Sequence, residues 1–511
     1  MVNIFNAKQI AETIFDGATI VVSGNGGGIV EPDVLMAAIE ERFLTTGHPR
    51  NLTFIHAFGI GDRDRKGSNR FAHKGMVKRV ISGHYTWSYP MQDMVKNNEV
   101  EAYCFPSGVI QQLAREIGAG RPGLFTHIGL GTFADPRLGG GKANQITKED
   151  MVELLNFDGK DILRYKPFKI DFAIIRGTFS DLKGNISLEE EPLDLDVLDL
   201  AIAAHNSGGK VFVQVRNIVQ NESLNPRNVK VPGVLVNGIA EFPSQQQTYL
   251  ENGYDNSLSG KFRKLVKKDS LALPENPLRL LIARRAVMEL KDGQSANFGF
   301  GIPGAIPAVA HHLGFKTENL WMSMEQGVHN GLLQNDPIFG SSQNADAIIQ
   351  SVDQFDFFSG GGLDITFLGL GQVDEHGNEN VSLLNGRLIG PGGFIDISTK
   401  TKKVVFCGTF DTKESKISID KYGVHVQKPG KIRKFVKKVD QITFSSHFAK
   451  LNKQDVMYIT ERAVFKLTDL GLELCEIAPG IDIQKDILNC MDFMPIIKKP
   501  KLMDKSLFKP I

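Results

Sequence analysis

Residues 7–17 and 278–293 follow one plan. Each reads as an amphipathic helix closed by a glycine, Gly17 in the first and Gly293 in the second. A short apolar strand pattern comes next, Ala18–Val22 and Ser295–Phe298. Both strands run into a glycine-bearing turn, Ser23-Gly24-Asn25-Gly26-Gly27-Gly28 and Gly299-Phe300-Gly301-Ile302-Pro303. The correspondence continues. A polar hairpin at Asp181–Ser187 is answered by Asp374–Asn378 with Val381-Ser382, and Lys210–Val213 is answered by Lys403–Phe406. A chain that repeats a strand–turn–helix order over most of its length is constrained to two α/β units of one plan. The expected architecture is two pseudo-repeated open α/β domains with mainly parallel sheets and a ligand site at their interface, at the carboxyl ends of strands. The halves are placed at 1–255 and 278–511. Residues 256–277, carrying Lys261, Arg263, Lys264, Lys267 and Lys268 and then Pro274 and Pro277, read as the connector.

Length and charge narrow the function classes. The chain has 511 residues, 41% hydrophobic and 23% charged, enough for sizeable cores. A formal net charge of +1 gives no general reason to expect nucleic acid or an anionic membrane as partner. Cys104, Cys407, Cys475 and Cys490 form no C-x-x-C pair, which suits a reducing compartment and argues against a zinc or redox motif. The first residues lack the basic start and apolar core of a signal peptide, and no apolar run reaches membrane-span length, so a soluble cytoplasmic protein is expected. The histidines show no metal-ligand spacing, so no metal site is expected. His127 reads as a satisfied polar residue and the pair His311-His312 as packing or solvent-facing. Residues 59–75 read as a polar surface excursion, and the Gly- and Pro-rich loop 118–142 as a segment facing substrate.

One residue breaks the repeat. The apolar run Leu320-Trp321-Met322, with Met324, ends on Glu325, followed by Gln326 and Gly327. Its counterpart in the first half, Asn51–Phe58, ends without a carboxylate. A solvated glutamate at a strand end is the bland reading; a carboxylate delivered once into a glycine-lined turn is the chemical one.

Several motifs in register carry a resemblance. They are GFGIP at 299–303, the E-x-G at Glu325–Gly327, FFSGGGLDITFLGLGQVDEHGNENVS at 357–382, GPGGFIDIS at 390–398, KKVVFCGTF at 402–410 and LCEIAPGIDIQKDIL at 474–488. Together they resemble the class I coenzyme A-transferases, within them the fused single-chain propionate or acetate type, over nearly the whole chain. The resemblance implies transfer of CoA from a short-chain acyl-CoA to a free carboxylate, by ping-pong catalysis through a glutamyl-CoA thioester on Glu325. It implies that CoA is a substrate, that no cofactor is needed, and that the partners are acyl-CoA and small carboxylates, with no nucleic acid or membrane, in a homo-oligomer. Departures at Gln326, His329 and Asn330 bear on which acids are accepted.

A carboxylate suits that chemistry because its ordinary pKa, about 4.3, leaves it ionised at neutral pH without a general base. The site must also exclude water and hold an oxyanion. Gly27 and Gly28 are the expected oxyanion donors, since glycine lets the backbone approach a ligand. Gly299, Gly301, Gly361, Gly362, Gly392 and Gly393 are the expected backbone contacts to CoA, some of them serving only tight turns. Lys403 is placed at the surface, within reach of a phosphate. The rival readings are an acyl-CoA hydrolase using the same glutamate, a non-catalytic CoA or sugar-phosphate sensor, and a dinucleotide oxidoreductase.

Overall fold

The computed structural model describes residues 1–265 and 271–509. Lys267 and Lys268 of the expected connector lie outside the described residues. The chain divides into two compact units that are not contiguous in sequence. The first holds Met1–Lys264, Glu325–Asp356 and Asn385–Asp396; the second holds Leu265–Met324, Phe357–Leu384 and Ile397–Ile511.

The first unit is built on a parallel sheet. Its strands run in the order Asn3–Ile4, Gly238–Glu241, Lys210–Val219, Phe172–Asp181, Thr19–Val22, Leu52–His56, Val77–Ser82 and Glu101–Cys104. The central strand Phe172–Asp181 is buried at nine of ten positions, the mark of a strand covered on both faces. Helices Asp33–Thr46, Ser107–Gly118 and Val197–Asn206 connect and cover it. An antiparallel three-stranded sheet, Leu124–Thr126, Val152–Phe157 and Lys160–Tyr165, is added beside it.

The second unit repeats the order of the corresponding strands. Trp321–Ser323, Ser295–Phe298, Ile365–Gly369, Lys403–Cys407 and Asp455–Ile459 are parallel neighbours. Two antiparallel strands, Ala463–Thr468 and Gly471–Ile477, follow, and Ile496–Leu502 closes the edge in parallel. The architecture is thus α/β with mainly parallel sheets.

The repeat extends to single hydrogen bonds. Asp171 accepts the Thr19 N–H at 3.0 Å, and Asp364 accepts the Ser295 N–H at 2.9 Å, each beside the start of the glycine-turn strand. In both polar hairpins the leading aspartate caps the turn through the same atoms. Asp181 Oδ1 accepts from the Lys183 and Asn185 N–H groups and Oδ2 from the Asn185 amide. Asp374 does the same with His376 and Asn378.

Residues 59–75 are less exposed than their composition suggests. Phe71 is buried and stacks on Phe54 with ring centroids 4.3 Å apart. Arg70 is drawn in by Asp33 and Glu40, at 2.7 and 2.9 Å. Charge in this stretch is neutralised by partners remote in sequence, which a local reading cannot detect.

Candidate active site

The carboxyl edge of the first unit's sheet gathers four loops. They leave the strands ending at Val22, His56, Ser82 and Cys104. The separate segment Asn385–Asp396 lies along this edge. The Tyr85 N–H donates to the Ile389 carbonyl at 2.8 Å, the Gly392 N–H to the Gly83 carbonyl at 2.8 Å, and the Ser107 N–H to the Gly392 carbonyl at 2.9 Å. Gly390 comes so close that a Cβ on it would lie 2.4 Å from the Gly83 carbonyl oxygen. Only glycines let the two backbones lie this near.

Glu325 belongs to the same unit, just beyond the strand Trp321–Ser323. Its carboxylate meets Gly393: a Cβ there would sit 2.0 Å from Oε2. The Gly393 N–H hydrogen-bonds to the carboxylate, and the Gln326 side-chain amide reaches Oε1 at 3.2 Å. Gln326 is itself buried, with its Nε2 also 3.2 Å from Asn25 Oδ1. Asn25 donates in turn to the Phe339 carbonyl at 2.9 Å. Glu325 thus sits at the end of a chain of amides, partly accessible at its own surface. Loss of water raises its pKa from 4.5 to about 7, against the pull of the Gly393 N–H and the Gln326 amide. The carboxyl is therefore poised between acid and carboxylate at neutral pH, where its ordinary value predicts full ionisation.

The glycine turn after Val22 is held differently from expectation. The Gly27 N–H donates to the Gly61 carbonyl at 3.0 Å. The Gly28 N–H donates to Glu31 Oε1 at 3.2 Å. Both amides expected to meet an oxyanion are therefore already engaged, that of Gly27 by the loop after His56 and that of Gly28 by Glu31. Glu31, fully buried, also accepts the Gly61 N–H at 2.9 Å and the Tyr249 hydroxyl at 2.8 Å, which staples the turn to two other segments. Burial raises Glu31 to about 8 even though these three donors favour its charged form. The glycines serve close approach: a Cβ on Gly26 would lie 2.0 Å from the Trp87 ring, and one on Gly27 2.3 Å from the Pro337 carbonyl oxygen.

The other glycines divide by what their amides do. The Gly361 N–H closes on the Phe358 carbonyl at 3.0 Å and the Gly362 N–H on that of Phe357 at 2.9 Å. With Gly361 at φ +90°, this is a Schellman end to the helix Ser351–Ser359, a structural task. The Gly299 N–H is bound to the Phe367 carbonyl at 2.8 Å. Gly301 has open space where a Cβ would be. Gly392 has both its N–H and its carbonyl in backbone hydrogen bonds, and Gly393 faces Glu325. Lys403 is paired with Glu289 at 2.5 Å and Asp455 at 3.3 Å, so its charge is already met.

Sequence reasoning did not single out Asn25, His84, Phe355 or Asp396. A Cβ on Gly392 would lie 3.9 Å from both His84 Cδ2 and Glu325 Oε1, and one on Gly393 2.9 Å from the Phe355 ring. Burial lowers the His84 imidazole to about 4, so it is neutral at pH 7. Nothing local in the sequence marks these positions; segments remote in sequence bring them together. Among the described residues, no group of three or more His, Cys, Asp or Glu side chains is placed to hold a metal ion.

Comparison with known proteins finds full-length relatives. The family model described as Coenzyme A transferase matches residues 6–241. The chain is 42% identical to an acetate CoA-transferase, YdiF, of Escherichia coli O157:H7, over 99% of this chain and 95% of that protein. It is 43% identical to a caffeate CoA-transferase of Acetobacterium woodii, over 99% and 98% of the two chains. The crystal structure of the YdiF apoenzyme superposes with a TM-score of 0.95 at 41% identity, covering 100% of this chain and 96% of that one. The structure of a YdiF thioester complex with CoA superposes with a TM-score of 0.94 at 40% identity, over 99% and 96%.

Proposed function

We propose that this chain, which belongs to the coenzyme A transferase family, moves CoA onto a carboxylate through covalent intermediates on Glu325. That it is a CoA-transferase follows from identities of 42% and 43% to named transferases over essentially its full length. The covalent route is our reading. The observation that carries it is the Glu325 carboxylate held by the Gly393 N–H and the Gln326 amide.

A carboxylate attacks a thioester carbonyl without surrendering a proton, so the ionised form of Glu325 is the reactive one. Attack forms an acyl–glutamyl anhydride and releases CoA as thiolate. The thiolate then attacks the glutamyl carbonyl, forming an enzyme–CoA thioester and freeing the first acid. A second carboxylate enters and the two steps run in reverse. When the glutamyl carbonyl is attacked, its oxygen gains negative charge. The Gly393 N–H and Gln326 Nε2 already point at those oxygens, so they are the donors placed to hold that charge, worth roughly 3–4 kcal/mol each in other acyl-transfer sites. Gly393 thereby takes the oxyanion role expected of Gly27 and Gly28, whose amides are engaged elsewhere. Of the glycines expected to contact CoA, we infer that Gly301 does so, supported by open surroundings that suit a ligand.

Short-chain acyl-CoA and acetate-type acids are the substrates we infer, supported by the acetate CoA-transferase likeness; the caffeate CoA-transferase makes an aromatic acceptor the natural comparison. A cytoplasmic homo-oligomer is supported by the family resemblance and the four free cysteines. No helix among the described residues is long and apolar enough to cross a membrane.

Intact-mass measurement after adding acetyl-CoA alone tests the reading. We expect a CoA adduct that maps to Glu325 and is absent in Glu325→Ala. Transfer to acetate by wild-type enzyme with no adduct at Glu325 at any time point would sink the covalent route.

A further inference from the structure

Behind Gly393 lies a second buried carboxyl. Asp396 is 0% exposed and follows the glycine turn by one helical step. Its Oδ2 accepts the Gly108 N–H at 3.2 Å, while its Oδ1 is buried with no hydrogen-bond partner. It takes part in no ion pair among the described residues. The ionisable groups that face it are Glu325, whose charge disfavours a second negative charge here, and the Tyr165 phenol.

The contact is built from both sides. Gly108 opens the helix Ser107–Gly118, and a Cβ on it would lie 2.5 Å from Asp396 Oδ1 and 2.6 Å from the Phe355 ring. The same ring packs against Gly393, where a Cβ would come within 2.9 Å of it. Glu325, Gly393, Phe355, Gly108 and Asp396 therefore form one continuous packed set. The neighbouring Ser107 N–H holds the Gly392 carbonyl. The turn 390–393 is thus tied to the first turn of that helix at two successive amides, one of them through Asp396.

We propose that Asp396 is a positioning residue, kept as an uncharged carboxylic acid, that clamps the glycine turn to the helix Ser107–Gly118 and so fixes the Gly393 N–H on Glu325. An isolated carboxylate in an apolar site is strongly disfavoured, and an ionised one beside Glu325 would oppose formation of the nucleophile. Burial pushes the Asp396 carboxyl well above the usual range, in agreement with the geometry. The acid's oxygen keeps the Gly108 N–H satisfied at no electrostatic cost to its neighbour.

The inference rests on Glu325 being the reacting carboxylate, and the test separates the two. Wild type, Asp396→Asn and Asp396→Leu are compared by the pH profile of kcat/KM, by kcat and by KM for acetyl-CoA, with the CoA adduct at Glu325 followed by mass in each. Asparagine keeps an acceptor for Gly108 and carries no charge. Asp396→Asn is expected to hold kcat within about threefold of wild type and to leave the acid limb in place. Leucine keeps the branching at Cγ and removes the acceptor. Asp396→Leu is expected to lose about tenfold or more in kcat, with KM for acetyl-CoA changed less than about threefold, and to move the acid limb to higher pH because Glu325 loses a donor. Gly108→Ala, which crowds the same contact, is expected to follow Asp396→Leu. An acid limb that moves down in Asp396→Asn would show an ionised aspartate and overturn the proposal. A limb that stays put in both Asp396→Leu and Gly108→Ala would overturn the clamp. Absence of the wild-type adduct overturns the Glu325 reading instead, whatever the variants do.

Discussion

Gln326 Nε2 lies 3.2 Å from Glu325 Oε1 and 3.2 Å from Asn25 Oδ1, so one buried amide joins the candidate nucleophile to the glycine turn after Val22. A hydrogen bond to the charged form lowers a carboxyl's pKa. Gln326→Ala removes that bond and leaves a gap beside it. The acid limb of kcat/KM should then move to higher pH, with activity at pH 7 down about three- to tenfold. Gln326→Glu sets a second carboxyl beside the first and should lower activity at pH 7 further. A profile unchanged in both variants would separate Gln326 from the chemistry.

Wild-type activity should follow the ionisation of Glu325. With its pKa raised to about 7 by burial, kcat/KM should fall roughly tenfold per pH unit below that value and level off above it. Initial rates of CoA transfer between pH 5 and 9, with enzyme integrity checked at each pH, measure this. A limb near 4.5 would mean that the carboxylate is solvated during turnover.

The same raised value links pH to stability. Folding shifts Glu325 upward from 4.5 to about 7. Its contribution is therefore complete below the unfolded pKa and is lost as pH rises through the folded one. Glu325→Gln removes the titration and keeps the shape. It should melt at higher temperature than wild type at pH 8 and at about the same temperature at pH 4.5, with the difference growing between. The gain at pH 8 should be on the order of 1–3 kcal/mol. Thermal scans at a series of pH values check it; a difference that does not change with pH counts against the assignment.

Three glycines should fail in three ways when replaced by alanine. Gly393→Ala places a Cβ 2.0 Å from Glu325 Oε2, so turnover should fall about a hundredfold or more with little change in melting temperature. Gly27→Ala meets the Pro337 carbonyl oxygen at 2.3 Å from a backbone at φ +79°, so stability and activity should fall together. Gly301→Ala meets no atom within 4 Å, and its φ of +86° should cost only about 1 kcal/mol. Turnover, KM for acetyl-CoA and melting temperature on the three variants distinguish these outcomes. A higher KM in Gly301→Ala with no more than that small loss of stability would support its contact with CoA.

Sequence patterning found the repeated strands because the signal there is local. Apolar runs such as Phe172–Ile175 and Lys403–Phe406 are buried by any parallel sheet, and the aspartates at 181 and 374 cap their own turns within four residues. The glycine turns were located for the same reason, yet their tasks were not legible. Whether an amide is free depends on where a remote carbonyl or carboxylate sits, as Gly61 and Glu31 show for Gly27 and Gly28.

The sequence by itself determined that the chain is built twice over as an α/β unit, that a carboxylate follows one strand once only, and that the motifs are those of a CoA-transferase. The first two follow from periodicity, spacing and residue identity, which neighbours in the chain carry; the third rests on resemblance to a known family. Only the tertiary structure decided that Gly393 holds Glu325, that Gln326 and Asn25 stand behind it, that Gly361 and Gly362 finish a helix, and that Asp396 lies buried against Gly108. Each of those depends on packing between segments remote in sequence, where hydrogen bonds and loss of water set what a side chain can do.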